Sequence, residues 1–330
     1  MSHDQFEVLS NQAVAVCAVF YFVAVMLHVA EWAFARSVAP ARVAVGPDGE
    51  PLVDAAHQAA DATGRTAQMA RWGYVATVVA AGVHLVAVVA RGLAADPVRV
   101  PWGNMYEFTL TATLVVVIGY LFLQRRLEAS WLSPIVTGFV LVTLMVDVLL
   151  LYTPVVPLRD ALQSPWLVIH VIAAIIATGA FTLGGMCSVL YLVKARWLER
   201  RDVAADRPAG YLARVPGLEQ LDRLAYRTHA FAFPLWTFAA LIAGPIWAQH
   251  AWGRYWGWDP KEIWAFITWV VYAAYLHARA TAGWKGRQAA VIALVGLATL
   301  WFNFVGINFF FGSGSQHSYA AELVARTLGG

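Results

Sequence analysis

Long apolar stretches separated by short polar ones run the whole length of this chain. A helix needs about 20 apolar residues to cross a bilayer core of about 30 Å, and its backbone polar groups must pair within the segment. Eight stretches qualify, near residues 12–35, 70–90, 104–124, 131–152, 165–193, 230–249, 261–278 and 288–311. The pattern predicts an all-α polytopic membrane protein of about eight transmembrane helices, and the even count puts both termini on one side. Residues 1–11 hold no Lys or Arg and no small-residue cleavage signal closes the first apolar run, so that run is expected to be retained. Between the spans, residues 37–69 are Ala-rich and broken by Gly46, Pro47, Gly49 and Pro51, which predicts a flexible connector. In the loop 195–229, Val215-Pro216-Gly217 leads into an amphipathic stretch over 218–226, which predicts a surface helix on the cytoplasmic side.

Composition sharpens this picture. Apolar residues make up 60% and charged residues 13%, against about 45–50% and 25% in soluble domains, which excludes an ordinary soluble fold. With the N-terminus outside, the inside loops hold 17 of the 23 Lys and Arg, so the positive-inside rule sets both termini on the extracytoplasmic side. The formal net charge of +3 is small and most basic residues are accounted for by topology, which disfavours nucleic-acid binding. Cys17 and Cys187 each lie in an apolar run, and no CxxC or CxxCH occurs, so thiol exchange and covalent haem on this chain are poorly supported.

Candidate chemistry concentrates in Trp252-Gly-Arg-Tyr-Trp-Gly-Trp-Asp-Pro-Lys-Glu-Ile-Trp264, between the sixth and seventh spans on the outer side. Its indoles offer broad apolar faces with N–H donors, and Gly253 and Gly257 let the backbone turn or approach a flat ligand, a surface suited to a porphyrin. The plain alternative is an interfacial aromatic belt. Asp259-Pro260-Lys261-Glu262 also reads as a capping box, with Asp at N-cap and Glu at N3.

Topology sorts the histidines by depth. His170, after Pro165-Trp166, and His317, after Phe309-Phe-Phe-Gly-Ser-Gly, both lie on the outer side, where two neutral imidazoles on opposite faces of a macrocycle would make iron six-coordinate. The alternative for each is a hydrogen-bonded polar residue in a bundle. His277 closes the seventh span near the inner surface, as a ligand of a deeper haem or as a cation at a helix end, and His28 lies at similar depth. His84 is expected to be structural, His229 to need no special role, and His250 to be a minor candidate beside the aromatic loop. At the start of span three Asn104 and Glu107 have cap spacing, with Glu107 a possible site acid.

In order and spacing, Pro101, Asn104-Met-Tyr-Glu107, His170, the Trp252–Glu262 segment, His277 and Asn308…His317-Ser-Tyr319 resemble the CcsA/ResC-type cytochrome c biogenesis proteins, which carry a tryptophan-rich WWD domain. The resemblance covers about 80–320. It implies a first helix and connector over 1–75 and a haem-handling domain over 76–330. It further implies system II cytochrome c assembly at the cell membrane, with a CcsB/ResB-like partner and an apocytochrome c. Haem b would be substrate and ligand, passing a site that uses His277. It would then be held by His170 and His317 against Trp252, Trp256, Trp258 and Asp259, and joined to reduced CxxCH thiols that other proteins keep reduced. No catalytic residue is assigned, because ligation by a holocytochrome c synthase-like complex needs positioning and no enzyme nucleophile. The alternatives are a b-type membrane cytochrome and a haem transporter without ligation activity. No helix holds two histidines a dozen residues apart, and Gly184-Gly185 and Gly244-Pro245 are weak signals for broken helices.

Overall fold

The computed structural model describes residues 1–37, 53–156, 164–200 and 211–311. Its elements are helical: α1 His3–Ser37, α2 Val53–Leu93, α3 Met105–Leu127, α4 Ser133–Val146, α5 Pro165–Glu199, α6 Tyr211–Arg214, α7 Leu218–Thr237, α8 Gly244–Trp252, α9 Pro260–Thr281, α10 Arg287–Trp301 and α11 Ile307–Phe310. Three wide π-helical turns, Asp147–Leu151, Phe238–Ala243 and Phe302–Gly306, continue α4, α7 and α10. Seven of these helical stretches are long and apolar enough to cross a bilayer. The expected seventh span is present as α9 but falls outside that set, because Lys261, Glu262, His277 and Arg279 cluster at its ends.

The bundle is apolar on the outside as well as within. Val19, Phe22, Phe122, Val142, Leu149 and Phe231 are all exposed, as expected of side chains that face hydrocarbon. One core joins α1–α4 with the far end of α5 and the start of α7, and a second joins α5, α7, α9 and α10. A third, small core of Trp102, Leu167, Val171, Ile175 and Trp247 lies at the end of the bundle where α3 and α5 begin.

Two local expectations are corrected. The connector over 37–69 gives way to helix from Val53, so that α2 is 41 residues long. Every glycine and proline of that stretch except Gly64 precedes Val53, and the Ala-rich remainder has high helix propensity. The surface helix over 218–226 is instead the first half of α7, which enters the bundle without a break. Leu221, Ala225, His229, Ala232 and Trp236, at steps of four, four, three and four, form a single buried stripe along it. The amphipathic pattern therefore marks a face packed on α5, not a face laid on a membrane surface.

Candidate functional site

At the end of the bundle where α3, α5 and α9 begin lies a largely apolar, partly open cavity, lined by Phe108, Leu167, His170, Trp247, Trp256 and Lys261 among others. α5 starts on Ser164, whose side chain accepts the Trp166 N–H, and on Pro165 at N1, which brings His170 one turn and a half down into the cavity wall. The wide turn Phe238–Ala243 meets it there. The Ala239 carbonyl accepts the Gly244 N–H and also lies 2.9 Å from His170 Nδ1. A carbonyl only accepts, so Nδ1 carries the proton and Nε2 the lone pair. Trp247 stacks parallel to the imidazole at 6.2 Å, and a Cβ at Gly244 would stand 3.2 Å from the ring. The ring is thus fixed in tautomer and in plane.

The loop between α8 and α9 contributes Tyr255 and Trp256 to the cavity wall. Gly253, at φ +71°, ends α8, and Arg254 lies so close over Gly257 that a Cβ there would meet its guanidinium at 2.5 Å. Trp258 has φ +56°, a left-handed conformation that bulky side chains rarely take. The loop is held by the capping box. Glu262 Oε2 accepts the Gly257 and Asp259 N–H groups at 2.8 and 3.2 Å, and Asp259 Oδ1 accepts the Lys261 N–H at 3.0 Å. Asp259 is buried and occupied as a cap. The indoles divide their work: Trp256 and Tyr255 line the cavity, Trp252 packs edge-on to Trp247, and Trp258 is 68% exposed, edge-on to Trp256. The Nε1 atoms of Trp252 and Trp256 are buried without a hydrogen-bond partner among the described residues.

Residues 102–313 match the family model for the cytochrome C assembly protein. The chain belongs to that family. Within it, the chain is 36% identical over 232 residues to the cytochrome c biogenesis protein CcsA of Guillardia theta, a match covering 66% of this chain and 76% of the relative. It is 34% identical over 248 residues to CcsA of Trieres chinensis, covering 66% and 77%. With CcsA of Gloeobacter violaceus it shares 32% over 272 residues, covering 66% and 78%. A solved structure of the cytochrome c haem lyase CcmF aligns with 99% of the chain at a TM-score of 0.49 and 17% identity, and the chain spans about half, 52%, of that protein.

In this CcsA-type chain the expected site residues fall into separate places. His170, Trp256 and the loop carrying Asp259 come together around the cavity, with Trp252 behind it and Trp258 outside it. His277 is exposed on α9, about 27 Å further along the helix from Asp259 at 1.5 Å per residue. His317 lies outside the described residues. His28 is enclosed between α1 and α2, its Nε2 3.3 Å from Thr77 Oγ1 and its Nδ1 3.6 Å from Glu31. His84 joins three helices, with Nε2 2.9 Å from the Leu110 carbonyl and Nδ1 3.3 Å from the Tyr21 hydroxyl. His250 lies 2.8 Å from the Ile246 carbonyl of its own helix and does not line the cavity.

Glu107 caps no cavity. Fully buried, it accepts hydrogen bonds from the Gly103 N–H, Arg99 and Arg91, and Arg91 also reaches Glu7 and the Thr153 carbonyl. This network ties α1, α2 and α3 to the segment after α4.

Sequence reasoning passed over His229. It is fully buried, both ring nitrogens lack a partner among the described residues, and the rings of Phe181, Tyr272 and Tyr275 surround it. Its place on the stripe of α7 was the available signal. Asp147, buried with both oxygens unpartnered at the start of a wide turn, was likewise not singled out.

Proposed function

We propose that this protein is the membrane component of a system II cytochrome c synthase, which holds haem b at its outer end for thioether attachment to an apocytochrome c. The observation that carries the proposal is His170: its Nδ1 lies 2.9 Å from the Ala239 carbonyl, which fixes the imidazole in the wall of an apolar cavity that Trp256 also lines. A neutral imidazole held in one tautomer is a suitable iron ligand. His317 is the proposed second axial ligand, and Trp252, Trp258 and Asp259 support the loop that faces the macrocycle. His277 is proposed as a ligand of an inner haem, completed by a CcsB/ResB-like partner. Its exposed position on α9 suits contact with another chain.

The vinyl groups of bound haem supply the reactive carbon–carbon double bonds. Each apocytochrome thiol adds its sulfur to one vinyl carbon and its hydrogen to the other, so no oxidant is consumed. The chain's own part is positional. His170 and Trp247 set the plane of the ring, the apolar walls exclude water, and Trp256 and Tyr255 limit how the ligand can tilt. Orienting the partners before reaction removes much of the entropic barrier of a two-molecule step. The positive-inside distribution supports placing this end, and both termini, on the extracytoplasmic side.

An absorption spectrum of the protein purified with its partner in mild detergent tests the proposal, compared with His170→Ala, His277→Ala and His317→Ala. A low-spin haem spectrum in the parent that changes in the His170 and His317 variants is expected. Unchanged spectra in all three variants would overturn the ligand assignment.

A further inference from the structure

α3 begins beside the cavity and ends, 23 residues later, at a groove that it shares with the first turns of α7. The floor of this groove is apolar. Leu127, the last residue of α3, and Leu224 of α7 line it, and Trp131 adds a buried indole whose backbone carbonyl accepts the Tyr211 hydroxyl at 3.0 Å. Its rim is charged: Arg223 and Arg227, four residues and about 6 Å apart along α7, line it together with Glu219. Glu219 accepts from Arg223 at 2.6 Å, but both side chains are exposed, and such a pair contributes only about 0–1 kcal/mol, so it yields readily to a second anion. Arg227 is exposed and has no hydrogen bond or ion pair among the described residues. The positive end of α7 adds to this charge, because the helix starts on Gly217 with no side-chain cap.

Two features identify the anion. The first is level. The span Met105–Leu127 finishes at the groove, which therefore opens where α3 leaves hydrocarbon, at the end that the distribution of Lys and Arg assigns to the cytoplasm. A basic pocket between transmembrane helices on that side suits an anionic lipid headgroup. The second is continuity. At steps of seven along α7, Leu224 is followed by Phe231 and Phe238, both exposed, so the apolar floor runs on as a lipid-facing stripe about 21 Å long. A free phosphate would use the guanidinium groups alone, whereas a phospholipid uses the charge and the stripe together.

We infer that this groove holds one anionic phospholipid, with its phosphate at Arg223 and Arg227 and an acyl chain along Leu224, Phe231 and Phe238. The site lies at the other end of the bundle from the cavity and does not depend on what the cavity binds.

Native mass spectrometry of the full chain in detergent tests this, after incubation with equal amounts of phosphatidylglycerol and phosphatidylcholine that bear the same acyl chains. The parent is expected to retain one phosphatidylglycerol with at least fivefold preference. Arg223→Gln combined with Arg227→Gln is expected to bring the preference to within twofold, while Arg227→Lys keeps it and so separates loss of the cation from loss of fold. Arg125→Gln combined with Arg126→Gln removes the same charge from the same end outside the groove, and should leave the preference unchanged. Equal retention of the two lipids by the parent, or an unchanged preference in the groove variant, overturns the inference. So does an equal loss in the Arg125 and Arg126 variant, which would mean diffuse attraction without a site. Displacement of phosphatidylglycerol by an equal concentration of inorganic phosphate overturns it too, since the groove would then take the free anion.

Discussion

Glu107 is the residue for which a catalytic and a structural role differ most clearly in consequence. Its carboxylate is fully buried and accepts from Arg99 at 2.5 and 3.3 Å, from Arg91 at 3.4 Å and from the Gly103 N–H at 2.8 Å. Arg91 is fully buried as well, and its other carboxylate partner, Glu7, is partly exposed. Glu107→Ala leaves Arg91 with Glu7 as its remaining carboxylate partner, Arg99 with none among the described residues, and the Gly103 N–H without an acceptor. Removing one member of a buried ion pair costs about 3–5 kcal/mol. At about 2 °C per kcal/mol for a chain of this size, the midpoint of thermal unfolding in detergent falls by about 6–10 °C. Glu107→Gln keeps an acceptor for Gly103 and should lose less. In the double variant Glu107→Gln with Arg99→Gln, part of the loss should return, because no surplus charge remains at Arg99. Porphyrin binding by the folded fraction is expected to match the parent. A melting point within about 2 °C of the parent for Glu107→Ala, or loss of porphyrin binding at unchanged stability, would refute the structural role.

Three further outcomes follow from particular contacts. A Cβ at Gly184 would stand 2.6 Å from His229 Cε1, and the three rings around that imidazole leave it nowhere to retreat, so Gly184→Ala should cost about 1–3 kcal/mol in a melting assay. His229→Leu, which removes two unsatisfied nitrogens, is expected to melt at or above the parent temperature, and a fall of several degrees would show that the imidazole finds a partner in the membrane. Trp258→Gly relieves a left-handed backbone at an exposed position and should stabilise the fold by about 1 kcal/mol while lowering cytochrome c maturation; a gain in both would remove Trp258 from the site.

Much of this was legible in the chain, and the exceptions have physical causes. Span positions follow from apolar runs because hydrocarbon leaves the backbone no other partner, and the N-cap at Asn104 and the capping box at Asp259 follow from spacing within a single turn. The association of His170 with Trp256 followed from the order of the spans, since residues on the same side of a bilayer are confined to one end of a bundle. Where neighbours on other helices decide the outcome, sequence was silent. The stripe of α7 marks His229 as buried, but nothing local shows that rings from α5 and α9 would enclose it, nor that Arg91 would sit at the centre of an ion network. The amphipathic start of α7 was misassigned because lipid surface and helix neighbour favour the same pattern, and only the partner, α5, separates them.

The wide turn at Phe238–Ala243 makes the site separable from its scaffold. A turn closed from residue i to i+5 stores one residue more than its α-helical neighbours, and here α7 and α8 pack normally on either side of it. Deleting one residue lets that turn close to i+4 with both flanking helices still in phase, while the Ala239 carbonyl returns to an ordinary helical ladder and releases His170. An insertion or deletion of a single codon in this segment is therefore enough to make or unmake the imidazole's anchor without redesigning the bundle. Lineages that lose haem handling should carry their length differences here sooner than in the helices beside it.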